Sequence, residues 1–170
     1  MNAKKISGFS ACALIALAAA TMALPREVSV VRSAMLDADA ATILALAASN
    51  EGYQVFNPYK SLDPDLQIAL FGPATGIGSG FSFEGKDGTG TQTVAEVTPE
   101  RVVYAIDLGA LGQPTQSIVA QSAGDQTRVT WQIDSDTGYN PVFRVFGLFM
   151  DGMVGPTVEL GLDNLAEAAA

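Results

Sequence analysis

The chain has 170 residues, 48% of them hydrophobic, with 18 acidic residues against 9 basic ones and a formal charge of −9. That length suits one domain with a core of ordinary size, and an acidic body without a basic patch argues against binding nucleic acid or anionic lipid surfaces. There is no histidine and the single cysteine is Cys12, which excludes Ser-His-Asp and Cys-His triads, imidazole zinc sites and, beyond the N-terminal stretch, disulfides and thiolate metal sites.

Residues 1–23 read as a signal peptide or an N-terminal membrane anchor. Lys4 and Lys5 form a charged start, and Ile6 to Leu24, 19 residues, is almost free of polar groups. Small residues at Ala18-Ala19-Ala20 and Thr21-Met22-Ala23 each offer a cleavage point. An uncleaved anchor is the rival reading, because a bilayer is spanned by roughly 20 apolar residues; the high alanine content favours cleavage. Either way the lysines stay in the cytoplasm and residues 24–170 form the domain on the other side, periplasmic, secreted or anchored by residues 6–24. Removing the two charges of Lys4 and Lys5 from −9 leaves that domain at −11. Too few apolar residues precede Cys12 for a lipid-attachment cysteine.

Glu27 to Leu36 reads as the first strand, with Val28 and Val30 alternating with Ser29. Asp37 or Asp39 then caps a helix whose Ile43, Leu44, Leu46 and Ala47 recur at helical spacing. Tyr53, Phe56 and Tyr59 follow at every third position, so a short helix or turn stacks their rings on one face. Pro58 and Asp63-Pro64 break the chain there.

From Gln67 to Asp136 the pattern is strand and turn. Ile68 and Leu70 alternate, as do Phe81 and Phe83, and Lys86-Asp87-Gly88 marks a hairpin. The predicted strands Thr91–Val97 and Arg101–Leu108 meet through Thr98-Pro99-Glu100, with Val102, Tyr104, Ile106 and Leu108 on one face. A shorter strand, Ser117–Gln121, turns at Ala123-Gly124-Asp125 into Thr127–Asp134, where Val129, Trp131 and Ile133 share a face. Such alternation belongs to an antiparallel sheet with one wet face. From Val142 the period changes: Phe143, Phe146, Met150, Met153, Thr157, Leu160 and Leu165 predict a long helix with one apolar stripe, kinked or split at Gly155-Pro156. This element order is α+β.

Several stretches resemble the SRPBCC superfamily, the helix-grip fold of START domains, birch-pollen-type allergens and polyketide cyclase/dehydrase and lipid-transport proteins. They are Leu24-Pro25-Arg26-Glu27-Val28, Ser61-Leu62-Asp63-Pro64-Asp65, Phe71-Gly72-Pro73 with Gly76-Ile77-Gly78, and Glu96-Val97-Thr98-Pro99-Glu100-Arg101-Val102-Val103-Tyr104. Thr127-Arg128-Val129-Thr130-Trp131, Gly155-Pro156 and Gly161-Leu162-Asp163-Asn164-Leu165 complete the set. The resemblance covers nearly all of residues 24 to 166, and it rests on turns and strand cores rather than a catalytic signature. It implies a curved antiparallel sheet wrapped around a long C-terminal helix, with a ligand cavity between them. One departure is notable. Members of this type usually carry tryptophans after the first helix, where this chain has Tyr53, Phe56 and Tyr59; its one tryptophan is Trp131.

Within that implied fold, Phe81, Phe83, Tyr104 and Trp131 are expected to line the cavity from the strands, and Phe146, Met150 and Met153 from the helix. The alternative for each is ordinary core packing. Apolar walls with one or two polar groups suit a lipid, quinone or polyketide-like ligand; no metal or cofactor is expected. Gly76-Ile77-Gly78-Ser79-Gly80 reads as a turn into a strand rather than a phosphate loop, because no helix or Lys-Ser/Thr follows. Three functions remain open: binding of a small hydrophobic ligand without catalysis, a cyclase or dehydratase using Tyr104 with one of Glu84, Glu96 or Asp107, and a protein-interaction domain with a filled core. The absence of histidine and cysteine favours the first.

Overall fold

A computed structural model describes residues 20–170; most of the expected signal or anchor, with Cys12, lies outside the described residues. Strand β1 (Glu27–Leu36) leads into three short helices, α1 (Ala40–Ala47), α2 (Asn50–Phe56) and α3 (Pro58–Leu62). Six strands follow, β2 (Gln67–Phe71), β3 (Gly80–Gly85), β4 (Gly88–Val97), β5 (Arg101–Asp107), β6 (Thr115–Ala123) and β7 (Gln126–Asp136). The described chain ends with α4 (Pro141–Gly147) and α5 (Met150–Ala169).

The helix starts obey the polar residues before them. Asp39 accepts the Thr42 backbone N–H at 2.9 Å, Ser49 accepts that of Gly52 at 3.1 Å, and Asn140 accepts that of Val142 at 2.9 Å. Each satisfies a donor that the first helical turn leaves free.

All seven strands form one sheet in the order β1-β7-β6-β5-β4-β3-β2. Every pair is antiparallel, and one bulge separates Val94 from Glu96 against β5. The chain thus runs β2 to β7 as a meander, and β1 returns to β7 to close the far edge. The side-chain alternation gives the sheet a dry face carrying Val30, Val102, Tyr104, Ile118, Val129 and Trp131.

Helix α5 does not cover this face evenly. It packs chiefly over β1 and against α2 and α3, while α1 lies over β5 and β6. Its buried stripe is Gly155, Val158, Gly161, Leu162 and Leu165, which corrects the expected stripe through Met153, Thr157 and Leu160. The glycines are the reason. A Cβ on Gly161 would stand 2.6 Å from Trp131 Cζ3, and one on Gly155 would meet the Arg32 guanidinium, so the helix approaches the sheet by its smallest side chains. Apolar periodicity gives glycine no weight and so places the stripe on the wrong face.

The expected break at Gly155-Pro156 is also corrected. Pro156 lies inside a continuous α5, and the chain instead bends by 52° between α4 and α5. The bend carries α4 away from the stripe of α5, so Phe143 and Phe146 share no single helical face with Leu165. Arg32 of β1 fixes α5 to the sheet edge from below, with its Nη1 2.8 Å from Asp151 and its Nε 2.6 Å from Glu159.

Candidate functional site

Where α5 leaves β3, β4 and β5 uncovered, the fold holds a cavity of ≈ 590 Å³. Its floor is the dry face of the sheet, with Phe81 and Phe83 from β3, Gln92 from β4, Ile106 from β5, Gln116 from β6 and Ile133 from β7. Phe143 and Phe146 of α4 and Met150 and Val154 of α5 form the opposite wall. At the rim stand Leu111 of the β5–β6 connection, Val142 of α4 and Tyr59 of α3, all exposed. The walls are mostly hydrocarbon and aromatic ring.

The inner end is built around Tyr53 of α2. Its ring lies 4.7 Å from that of Phe56, 5.4 Å from Phe81, 5.5 Å from Tyr104 and 6.2 Å from Trp131. These separations suit tilted and edge-to-face aromatic contacts. The Tyr53 hydroxyl reaches past the rings to the cavity, where it accepts a hydrogen bond from Gln116 Nε2 at 3.1 Å. Burial pushes the pKa of this phenol up, against smaller opposing effects from the amides of Gln116 and Gln92. Tyr53 therefore holds its proton through the physiological range.

The register explains why two glutamines sit here. Gln92 pairs with Phe81 on one side and Ile106 on the other, and Gln116 pairs with Tyr104 and Ile133. Both occupy positions whose neighbours along the strand, Val94 and Ile118, are core residues, so the alternation turns them inward. Gln92 Nε2 is buried and has no hydrogen-bond partner.

The expected cavity residues divide. Phe81, Phe83, Phe146 and Met150 line the cavity. Tyr104, Trp131 and Met153 do not. Tyr104 donates to the Ala47 carbonyl oxygen at 2.7 Å in a fully buried setting, so its hydroxyl anchors α1 to β5. Trp131 lies beneath α5 against Gly161 and edge-on to Phe56. Met153 is exposed, because helical spacing turns it away from the arc that Met150, Val154 and the buried stripe of α5 share.

The carboxylates weighed as partners for Tyr104 stand elsewhere as well. Glu84 and Asp107 are exposed, Asp107 caps the Gly109 N–H, and Glu96 pairs with Arg101 at 2.8 Å. The acidic groups that reach the cavity are Asp63, Asp87 and Asp136. A hydrogen bond from Arg26 holds the Asp136 carboxyl down at about 2. Gln92, Gln116 and Ile106 line the cavity without being among the expected site residues. The signal for the glutamines is a polar residue in the apolar phase of a strand.

The turn at Gly76–Gly80 also takes its expected form. It carries no helix and leads directly into β3. Gly72, with φ 71°, opens it, and a Cβ there would fall 2.0 Å from the Gly78 carbonyl oxygen, so the loop closes on itself rather than around an anion.

Comparison with known proteins places this geometry. Norcoclaurine synthase from Thalictrum flavum is similar in structure, with a TM-score of 0.63 at 13% identity over 83% of this chain and 92% of its own. A protein from Chromobacterium violaceum aligns with a TM-score of 0.60 at 10% identity, over 83% of this chain and 96% of its own. Ara h 8.0201 aligns at 0.52 and 12% identity, over 84% and 94%. At these identities the likeness establishes the fold, a helix-grip. No functionally curated protein matches the chain. The family model described as polyketide cyclase / dehydrase and lipid transport matches residues 27–170, and the chain belongs to that family.

Proposed function

We propose that this protein binds a small hydrophobic ligand in the cavity between the sheet and the α4–α5 pair, without performing chemistry on it. The observation that carries the reading is the cavity itself. Its ≈ 590 Å³ falls within the roughly 300–1,000 Å³ of small-molecule sites, and its apolar walls with a few buried polar groups match their usual make-up. A filled core, as the interaction-domain reading requires, leaves no such space. The acid–base reading needs Tyr104 and a carboxylate on one wall, whereas the Tyr104 hydroxyl is committed to Ala47. The family's name joins cyclases, dehydrases and lipid transport, and the second half of that description is the part this cavity suits. The apolar N-terminal segment supports action outside the cytoplasm, with the domain released or tethered.

The test is binding of phenylnaphthylamine, a neutral reporter that fluoresces in apolar sites, to the full chain and to Ile106→Trp. Ile106 sits on the cavity floor, and an indole there takes up much of the space. We expect the substitution to weaken reporter binding at least about tenfold, a loss of about 1.4 kcal/mol, with unfolding still cooperative. Equal binding by both proteins would place the reporter elsewhere and overturn the reading.

A further inference from the structure

The cavity is apolar along its walls but ends on three neutral polar side chains. We infer that its ligand is an uncharged molecule with an apolar body and a carbonyl or hydroxyl oxygen at its inner end, and that carboxylates and phosphates are turned away. This inference rests on the binding reading above and narrows it to a ligand class.

Gln92 carries the first part of the argument. It is 6% exposed, faces the cavity between Phe81 and Ile106, and its Nε2 is buried without an acceptor. A buried amide left unpaired is unfavourable, and a partner that completes it is correspondingly selected. A ligand oxygen seated at the inner end supplies that acceptor. Two further groups are at hand. The Tyr53 hydroxyl stands beside the same amide, and Gln116 Nε2 holds it in place at 3.1 Å. Gln116 is itself 3% exposed and Tyr53 2%, so all three are buried groups. A hydroxyl or carbonyl meets this set without desolvating a charge.

The charges carry the second part. Among the described residues that line the cavity none is lysine or arginine; the acidic ones are Asp63, Asp87 and Asp136. An anionic headgroup at the inner end would be buried with amides and a phenol but no counter-charge, which costs far more than burying a neutral oxygen. On the way in it would pass the carboxylates of Asp63 and Asp87, with Asp136 paired to Arg26, on a chain of net charge −9. Entry and seating therefore discriminate in the same direction.

Four probes with one body separate these terms: methylnaphthalene, naphthol, acetonaphthone and naphthoate, each used at neutral pH to displace phenylnaphthylamine from the full chain. Naphthol and acetonaphthone should bind about tenfold more tightly than methylnaphthalene, and naphthoate at least tenfold more weakly than either oxygen-bearing neutral probe. Gln92→Leu and Gln92→Met should each reduce the advantage of acetonaphthone over methylnaphthalene by about tenfold. Naphthoate binding as tightly as acetonaphthone overturns the inference, as does an unchanged ratio in a folded Gln92 variant. If neither variant folds, the ranking of the four probes on the unaltered chain decides. Equal displacement by all four sinks this inference and leaves the cavity reading standing, whereas a reporter that never binds sinks both.

Discussion

At the scale of single residues, burial alone does not separate groups that hold the fold from groups that face a ligand. Tyr53 and Tyr104 are both buried tyrosines, 5.5 Å apart ring to ring. The Tyr104 hydroxyl donates to the Ala47 carbonyl, while the Tyr53 hydroxyl accepts from the Gln116 amide at the cavity. Tyr104→Phe should therefore behave as a structural substitution. It leaves a buried carbonyl unpaired and should destabilise the protein by about 1–3 kcal/mol, measured by denaturant unfolding, while reporter affinity stays within about twofold. A large loss of affinity in a stably folded Tyr104→Phe protein would return Tyr104 to the site. Phe81, Phe83, Phe146 and Met150 were legible because large apolar side chains in phase with a strand or helix face mark a wall. Gln92 and Gln116 were not picked out, since a polar residue in that phase is outvoted by its apolar neighbours when only the pattern is read.

At the scale of elements, strand sequences announced themselves and the terminal helix did so only in part. The period-two alternation is clear in β5 and β7, so the turns at Lys86-Asp87-Gly88, Thr98-Pro99-Glu100 and Ala123-Gly124-Asp125 could be read, whereas the bulge in β4 and the ends of β6 (Thr115–Ala123, expected as Ser117–Gln121) could not. The β1 bounds, Glu27–Leu36, coincide with the expectation. The helix failed for a physical reason: its contact face is made by Gly155 and Gly161, whose contribution is the absence of a side chain. Two substitutions in the same helix test this with opposite signs. Gly152 has open space around its Cβ position, so Gly152→Ala should stabilise by about 0.5–1 kcal/mol through helix propensity. Gly161→Ala gains the same propensity but drives a methyl into the buried Trp131 ring, and overpacking costs about 1–3 kcal/mol. It should destabilise on balance. Thermal unfolding of both proteins measures the pair, and stabilisation by Gly161→Ala would show that α5 does not approach the sheet this closely.

At the scale of the whole molecule, the cavity follows from how unevenly one long helix covers a seven-stranded sheet. Helix α5 is held over β1 by the Arg32 ion pairs and by its glycine face, α1 covers β5 and β6, and the 52° bend sends α4 across the remaining gap. Gly155 and Gly161 lie in stretches that carry the family resemblance, the ion pairs and the bend do not, and none of these features is a catalytic group. The resemblance to the helix-grip fold was readable from turns and strand cores along the chain, but the size of the space depends on a bend that no proline marks. The central claim is that this space holds a neutral apolar molecule. Native mass spectrometry of the protein isolated from the cells that make it tests that most directly. The account predicts a mass above that of the bare chain by one uncharged apolar compound, released on denaturation. A native mass equal to the bare chain, unchanged after incubation with a lipid extract, would contradict it.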